Sequence, residues 1–306
     1  MMAMFATSRL ALSPDLHPGY HLHRLRGVGG FGEVWEAQKD TGGTVALKFL
    51  PCGRGRSAIQ ELRSIQVVQE LHHPHLIQID RVWCAGGFLV VAMELADGSL
   101  ADLLDVYHAE LDTALPAGHL LPLLTQVAKA LDFLNNCPHL LNGQSVTVQH
   151  CDVTATNLLV LGQTVKLSDF GLTTILTARQ KIREPAGTPA YAAPEVFQGR
   201  LTDRTDQYAL GVCYCYLRGG RFPFIDTPAD FQTDYFRPAP DLSMLPSAER
   251  SPIARALAPV SHDRWPSCGD LVAELQRLTS TPLVERRKKR IAVKRERRGR
   301  TQGPRI

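Results

Sequence analysis

Between residues 44 and 50, TVALKFL alternates. Val45, Leu47 and Phe49 face one way and Ala46 and Lys48 the other, which is the two-residue period of a strand. Residues 57–72 instead space Ile59, Leu62, Ile65, Val68 and Leu71 for a helix. GFLVVAMEL (87–95) is the short apolar run of a buried strand. After the turn-like ADGS (96–99) the period becomes helical. Leu120, Leu123, Leu124, Val127, Ala128, Leu131 and Leu134 make one wide face across 119–134, and QYALGVCYCYL (207–217) is apolar nearly all round, as suits a helix inside a lobe. The pattern predicts an α+β chain: a small β-rich lobe (about 20–94) with one main helix, then a larger helical lobe from about 98 onward. No internal repeat interrupts it.

Composition adds little until charge is placed. The 306 residues are 44% apolar and 21% charged, ordinary for a globular protein. No run approaches the roughly 18 apolar residues of a membrane span. Residues 1–19 read as an N-terminal extension whose first dozen are mildly apolar, lack a basic start and are expected to be disordered or loosely docked. Seven cysteines without a CxxC pair argue against a disulfide framework and fit a reducing cytoplasm. The net charge of +4 hides an asymmetry: residues 286–306 hold eleven bases and one acid, Glu296, so they carry +10 and the remainder −6. That basic tail (279–306) is expected to stay solvated and disordered, to contact nucleic acid or an anionic membrane surface, or to fold back on the −6 body.

GVGGFGEV (27–34) sets Gly27, Gly29, Gly30 and Gly32 with Val28 and Phe31 between two strand-like segments. Glycines there suit either a tight hairpin or a loop whose backbone approaches a polyphosphate. The strand continuing through Val34–Ala37, with no helix after Gly32, sets it apart from a dinucleotide fingerprint. Lys48 lies inside an apolar strand, where an unpaired ammonium is costly. Its candidate partners are a phosphate and Glu61 on the following helix; a solvent-facing edge position is the plain alternative. HCDVTATN (150–157) and KLSDFG (166–171) bring in Asp152, Asn157 and Asp169. Oxygens of Asn157 and Asp169 suit a hard cation, and Asp152 suits the proton of an attacking hydroxyl. HHPH (72–75) is expected to be a structural connection rather than a zinc site.

The set Gly27/Gly29/Gly32, Lys48, Glu61, Asp152, Asn157, DFG (169–171) and APE (193–195) resembles the protein-kinase signature in order and spacing across residues 20–278. It is similar to that of bacterial eukaryotic-like (Hanks-type) Ser/Thr kinases. The resemblance implies the bilobal kinase fold, ATP as phosphate donor, Mg²⁺ on Asn157 and Asp169, and Ser/Thr side chains of proteins as acceptors. It also implies a hinge at AMELA (92–96), with Met93 as gatekeeper, the Glu94 carbonyl and Ala96 amide on the adenine edge, and Val34, Ala46 and Leu159 around its ring. By the same resemblance Ile65, Ile79, His150 and Phe170 form an apolar column between the lobes, Asp206 anchors the catalytic loop, and Glu195 pairs with Arg264.

Two positions depart from the family pattern. Cys151 stands where an Arg usually gathers an activation-loop phosphate, so phosphate on Thr173, Thr174 or Thr177 is expected to matter little. Thr154 stands where a Lys usually touches the transferring phosphate, and Thr156 supplies no substitute charge. Loss of one such donor costs roughly 10²–10³ in rate, out of an enzymatic acceleration of at least about 10⁶. The expectation is a slowed Ser/Thr kinase, the alternative an ATP-binding pseudokinase acting as scaffold or switch. Lys166, Arg179, Lys181 and the basic tail are the candidate replacement cations.

Overall fold

A computed structural model describes residues 14–29, 32–51, 65, 69–141, 144–176, 185, 187–233 and 235–280. Five antiparallel strands build the N-lobe: β1 (Tyr20–Gly29), β2 (Gly32–Lys39), β3 (Thr44–Pro51), β4 (Ile79–Ala85) and β5 (Phe88–Met93), in the order β1-β2-β3-β5-β4. The alternation in β3 sorts its two faces as expected. Val45, Leu47 and Phe49 pack outward with Trp35, Ala37, Val90 and Ala92, while Ala46 joins the core shared with the C-lobe. Leu50 packs with Ile65, Leu89 and Val91. Most of the expected 57–72 helix lies outside the described residues; Ile65 and Gln69 are helical and Ile65 is buried, but the helix stops short of Leu71 and His72, which are irregular. The first dozen residues lie outside the described residues, and 14–19 are docked: Trp83 Nε1 donates to the Leu16 carbonyl at 3.0 Å and His17 is buried.

Strand register fixes the roof of the cleft. Val34 lies opposite Lys48 and Lys48 opposite Val91, while Ala46 lies opposite Met93. Directly opposed residues share a face, so these side chains line one surface. Gly32 sits at φ +130°, and a Cβ there would come within 1.9 Å of the Phe49 carbonyl oxygen. Only glycine permits that approach.

β6 (Gly98–Ser99) leads into α1 (Leu100–Leu111). Its start is a capping box: Ser99 Oγ accepts from the Asp102 amide at 3.2 Å and Asp102 Oδ2 accepts from the Ser99 amide at 2.7 Å. α2 (Ala117–Asn136) buries Leu120, Leu124, Val127, Ala128, Leu131 and Leu134, as the spacing predicts. Two small sheets follow, from β7 (His139–Leu141), β8 (Gln144–Gln149), β9 (Leu158–Leu161), β10 (Thr164–Leu167) and β11 (Thr174–Leu176), ordered β10-β9-β6 and β11-β8-β7. The one-turn α3 (Pro194–Phe197), the central α4 (Thr205–Gly219), α5 (Ser247–Ala256) and α6 (Cys268–Ser280) complete the C-lobe. Twelve residues of α4 are buried, which explains why its sequence lacks a polar face.

Candidate active site

A cleft of about 640 Å³ opens between the lobes, in the size range of small-molecule sites. Its described lining includes Gly27, Val28, Gly32, Val34, Ala46, Lys48, Met93, Glu94, Ala96, Asn157, Leu159 and Asp169. These residues come from β1 to β3, the end of β5 and the segment after it, the loop before β9, β9 itself and the turn after β10. Folding thus converges parts of the chain far apart in sequence. Gly29 ends β1. Glu61, Gly30 and Phe31 lie outside the described residues. At the hinge, no backbone hydrogen bond among the described residues occupies the Glu94 carbonyl or the Ala96 amide.

Lys48 is not an edge lysine. Its Nζ pairs with Asp169 Oδ1 at 2.7 Å, with only 13% of its side chain exposed. The pair keeps the ammonium compensated inside an otherwise apolar roof. Asp169 adopts φ +65°, a left-handed conformation that asparagine and aspartate tolerate better than most residues. The turn buries Phe170, whose ring meets the His150 ring edge-on at 5.0 Å.

The 150–157 loop is pinned by Asp206. Its carboxylate accepts from the His150 amide at 2.7 Å and the Cys151 amide at 2.9 Å. His150 Nε2 donates to the Ser168 carbonyl at 2.8 Å, and Nδ1 accepts from the Asp152 amide at 3.2 Å. Burial pushes the His150 pKa down, so the ring is neutral with its proton on Nε2. Asp152 Oδ1 accepts from Thr188 Oγ1 at 2.8 Å and Oδ2 from Asn157 Nδ2 at 3.0 Å. Burial raises the Asp152 pKa; the Thr188 bond opposes this, and nearby Asp169 adds to the rise. With its amide nitrogen turned to Asp152, Asn157 keeps its amide oxygen for another partner, and both Asn157 and Asp169 line the cleft.

The two departures have structural answers. Cys151 has φ +69° and sits against Thr174, while Gly187 passes so close that a Cβ would lie 2.5 Å from the Cys151 carbonyl oxygen. Thr154 is buried, and its hydroxyl hydrogen-bonds Thr156 Oγ1 at 2.8 Å. Lys166 does not replace the missing charge: its Nζ lies 2.6 Å from Glu94 Oε2, at the hinge. Thr177, Arg179, Lys181 and the basic tail from residue 281 onward lie outside the described residues. Among described lining residues the cleft's cations are Lys48 and Arg26.

Glu195 and Arg264 form a bidentate pair at 2.8 and 2.7 Å with the guanidinium fully buried. Thr188 and Arg26 were not singled out by sequence. GTPAYAAPE carries the first, but nothing in that string says which hydroxyl reaches Asp152. The second needed the strand register.

Fold and site together define a bilobal kinase architecture. A protein-family model described as a protein kinase domain matches residues 20–296. Serine/threonine-protein kinase TIO of Arabidopsis thaliana is 35% identical over 212 residues, which is 67% of this chain and 15% of that protein. CBL-interacting protein kinase 4 of Oryza sativa subsp. japonica is 32% identical over 219 residues, 68% of this chain and 46% of that protein. Testis-specific serine/threonine-protein kinase 3 of Mus musculus is 32% identical over 222 residues, 69% of this chain and 78% of that protein. The chain thus spans well under two thirds of the first two. The crystal structure of a point mutant of the Mycobacterium tuberculosis PknI kinase domain superposes with a TM-score of 0.68 at 26% identity, covering 88% of this chain and 100% of that one. The chain belongs to the protein kinase family, as the resemblance in its motifs implies.

Proposed function

We propose that the chain is a Ser/Thr protein kinase that uses ATP and Mg²⁺ and turns over slowly. In the transfer, the acceptor hydroxyl oxygen bonds to the γ-phosphorus. The bond from that phosphorus to its bridging oxygen breaks, ADP leaves, and the hydroxyl proton passes to Asp152. Lys48 binds and orients the phosphates. Asn157 and Asp169 supply oxygens for the metal, which offsets phosphate charge when bound. Val34, Ala46 and Leu159 wall the adenine slot, with Met93 behind it and the Glu94 carbonyl and Ala96 amide at its edge. The glycines at 27, 29, 30 and 32, with Val28 and Phe31, are assigned to the phosphates, and Glu61 is the assigned carboxylate partner of Lys48.

The observation that carries this reading is Asp152 held by Thr188 and Asn157 beside the Lys48–Asp169 pair. Its acceptor class follows from Thr188 on the 187–195 segment and from the Ser/Thr kinases among the relatives. Slowness follows from the neutral Thr154–Thr156 pair where the family places a cation. That same pair favours the second reading, an ATP-binding pseudokinase serving as scaffold or switch. Labelled ATP with Mg²⁺ separates the two. Label on protein from the wild type, lost in Asp152→Asn, supports the kinase; label absent from both, or undiminished in the variant, overturns it.

The free thiols of the described cysteines suit a reducing cytoplasm, and among described residues no helix is long and apolar enough to cross a membrane. The basic tail is proposed to contact nucleic acid or an anionic membrane surface. Binding to DNA or anionic vesicles that survives moderate salt, or deletion of 286–306, counts against that contact.

A further inference from the structure

β1 contains two register shifts against β2, and Arg26 is the extra residue of the second. Leu25 lies opposite Trp35 and Gly27 opposite Val34, leaving Arg26 with no partner. A bulge of this kind turns the unpaired residue's side chain away from the regular alternation. Here it carries the guanidinium into the lining of the cleft, with Val34, Ala46 and Leu159. One nitrogen donates across the opening to the Ala96 carbonyl at 3.2 Å and the Asp97 carbonyl at 2.9 Å. The other faces Glu36 at 3.3 Å, which holds the fork in line from β2.

The far anchor is itself fixed to the C-lobe. The Asp97 amide donates to the Val160 carbonyl on β9 at 2.9 Å, and Asp97 Oδ2 accepts from the Gly162 amide at 2.7 Å. Arg26 therefore ties the glycine-bearing strand of one lobe to backbone fixed on the other. It does so at the hinge end, beside the Ala96 amide. A flat ring held between Val34, Ala46 and Leu159 has this end as its route to solvent.

We propose that Arg26 is a positioning residue that straps the hinge end of the cleft and limits both entry and release of the nucleotide. The proposal rests on the nucleotide reading above and adds a gate to it. Arg26→Met keeps an apolar stem of similar length and removes the donors. Two hydrogen bonds of ordinary strength hold an equilibrium by on the order of tenfold.

The test is stopped-flow fluorescence with N-methylanthraniloyl-ADP, measuring association and dissociation separately. In Arg26→Met both rates are expected to rise, each by up to about tenfold. Arg26→Lys, which keeps the charge but loses the fork, is expected to stay faster than wild type in both. A slower association in Arg26→Met would show that the cation merely attracts phosphate, and would overturn the strap. Unchanged rates in Arg26→Met, or full restoration by Lys, would overturn it too. If the wild-type chain does not bind the probe, the nucleotide reading and the strap fall together; if it binds and only the Arg26 variants fail to respond as stated, the strap alone falls.

Discussion

Thr154 Oγ1 and Thr156 Oγ1 lie 2.8 Å apart and satisfy each other on the same loop as Asp152. Two hydroxyls that bond one another supply no positive charge to a developing phosphate. A lysine at 154 would restore a donor there, compensated by the Asp152 carboxylate. Thr154→Lys is therefore expected to raise kcat by at least about tenfold, within the roughly 10²–10³ that one electrostatic donor supplies, with little change in the KM for ATP. Steady-state kinetics against a generic Ser/Thr substrate checks this. An unchanged or lower kcat would show that the charge is supplied from elsewhere or is not needed.

If Asp152 takes the hydroxyl proton, as proposed, it must be ionised and sets the acid limb of the pH profile. Burial raises its pKa, and Asp169 adds to the rise. A raised pKa means that activity begins to fall at a higher pH than the ordinary value near 4 for an aspartate. The Thr188 hydrogen bond stabilises the ionised form and lowers the pKa. Thr188→Val should thus move the limb further up, and Thr154→Lys should move it down. The kcat–pH curve of each variant decides; a limb that stays put in both would separate Asp152 from the rate-limiting proton transfer.

Much of this site was legible because its residues are chemically conspicuous where they stand. Lys48 stood out as a charge within an alternating apolar strand, and Asp152, Asn157 and Asp169 as oxygen donors at fixed spacing. The faces of β3 and the all-round apolar α4 followed from period alone. What was not legible depends on register and reach. Lys166 was a candidate cation for the phosphates until β10 placed it against Glu94. Arg26 resembled any surface base beside a glycine, because a bulge is a property of the pairing between β1 and β2, not of either strand. Thr188 acts over 36 positions in sequence, a contact that only the folded loop makes.

Cys151 bears on regulation. Burial pushes its thiol pKa far up and the nearby Asp206 and Asp152 carboxylates add to the rise, so no thiolate forms at neutral pH. A phosphate on Thr173, Thr174 or Thr177 finds no cation at this position. Phosphatase treatment is expected to change turnover less than about tenfold. Iodoacetamide is expected to spare Cys151 while labelling the exposed Cys84 and Cys137, which peptide mass mapping can score. A larger loss of activity on dephosphorylation would place the activating cation on another element.

Arg264 anchors Glu195, the last residue of the 187–195 segment. Its guanidinium meets both Glu195 oxygens, donates to the carbonyls of Ala258 and Arg204, and lies 4.9 Å from the Tyr208 ring centroid. Both charges are buried, so removing one leaves the other with neutral hydrogen-bond partners but no opposite charge. Arg264→Met and Glu195→Gln are each expected to destabilise the fold by about 3–5 kcal/mol, and the double variant by less than the sum of the two. Arg264→Lys should lie between, because an ammonium cannot meet two carboxylate oxygens and two carbonyls with one planar fork. Urea unfolding of the four variants measures this coupling. Additive losses would mean that Glu195 and Arg264 stabilise the C-lobe through separate neighbours, and that the 187–195 segment is fixed by Thr188 and its own turn instead.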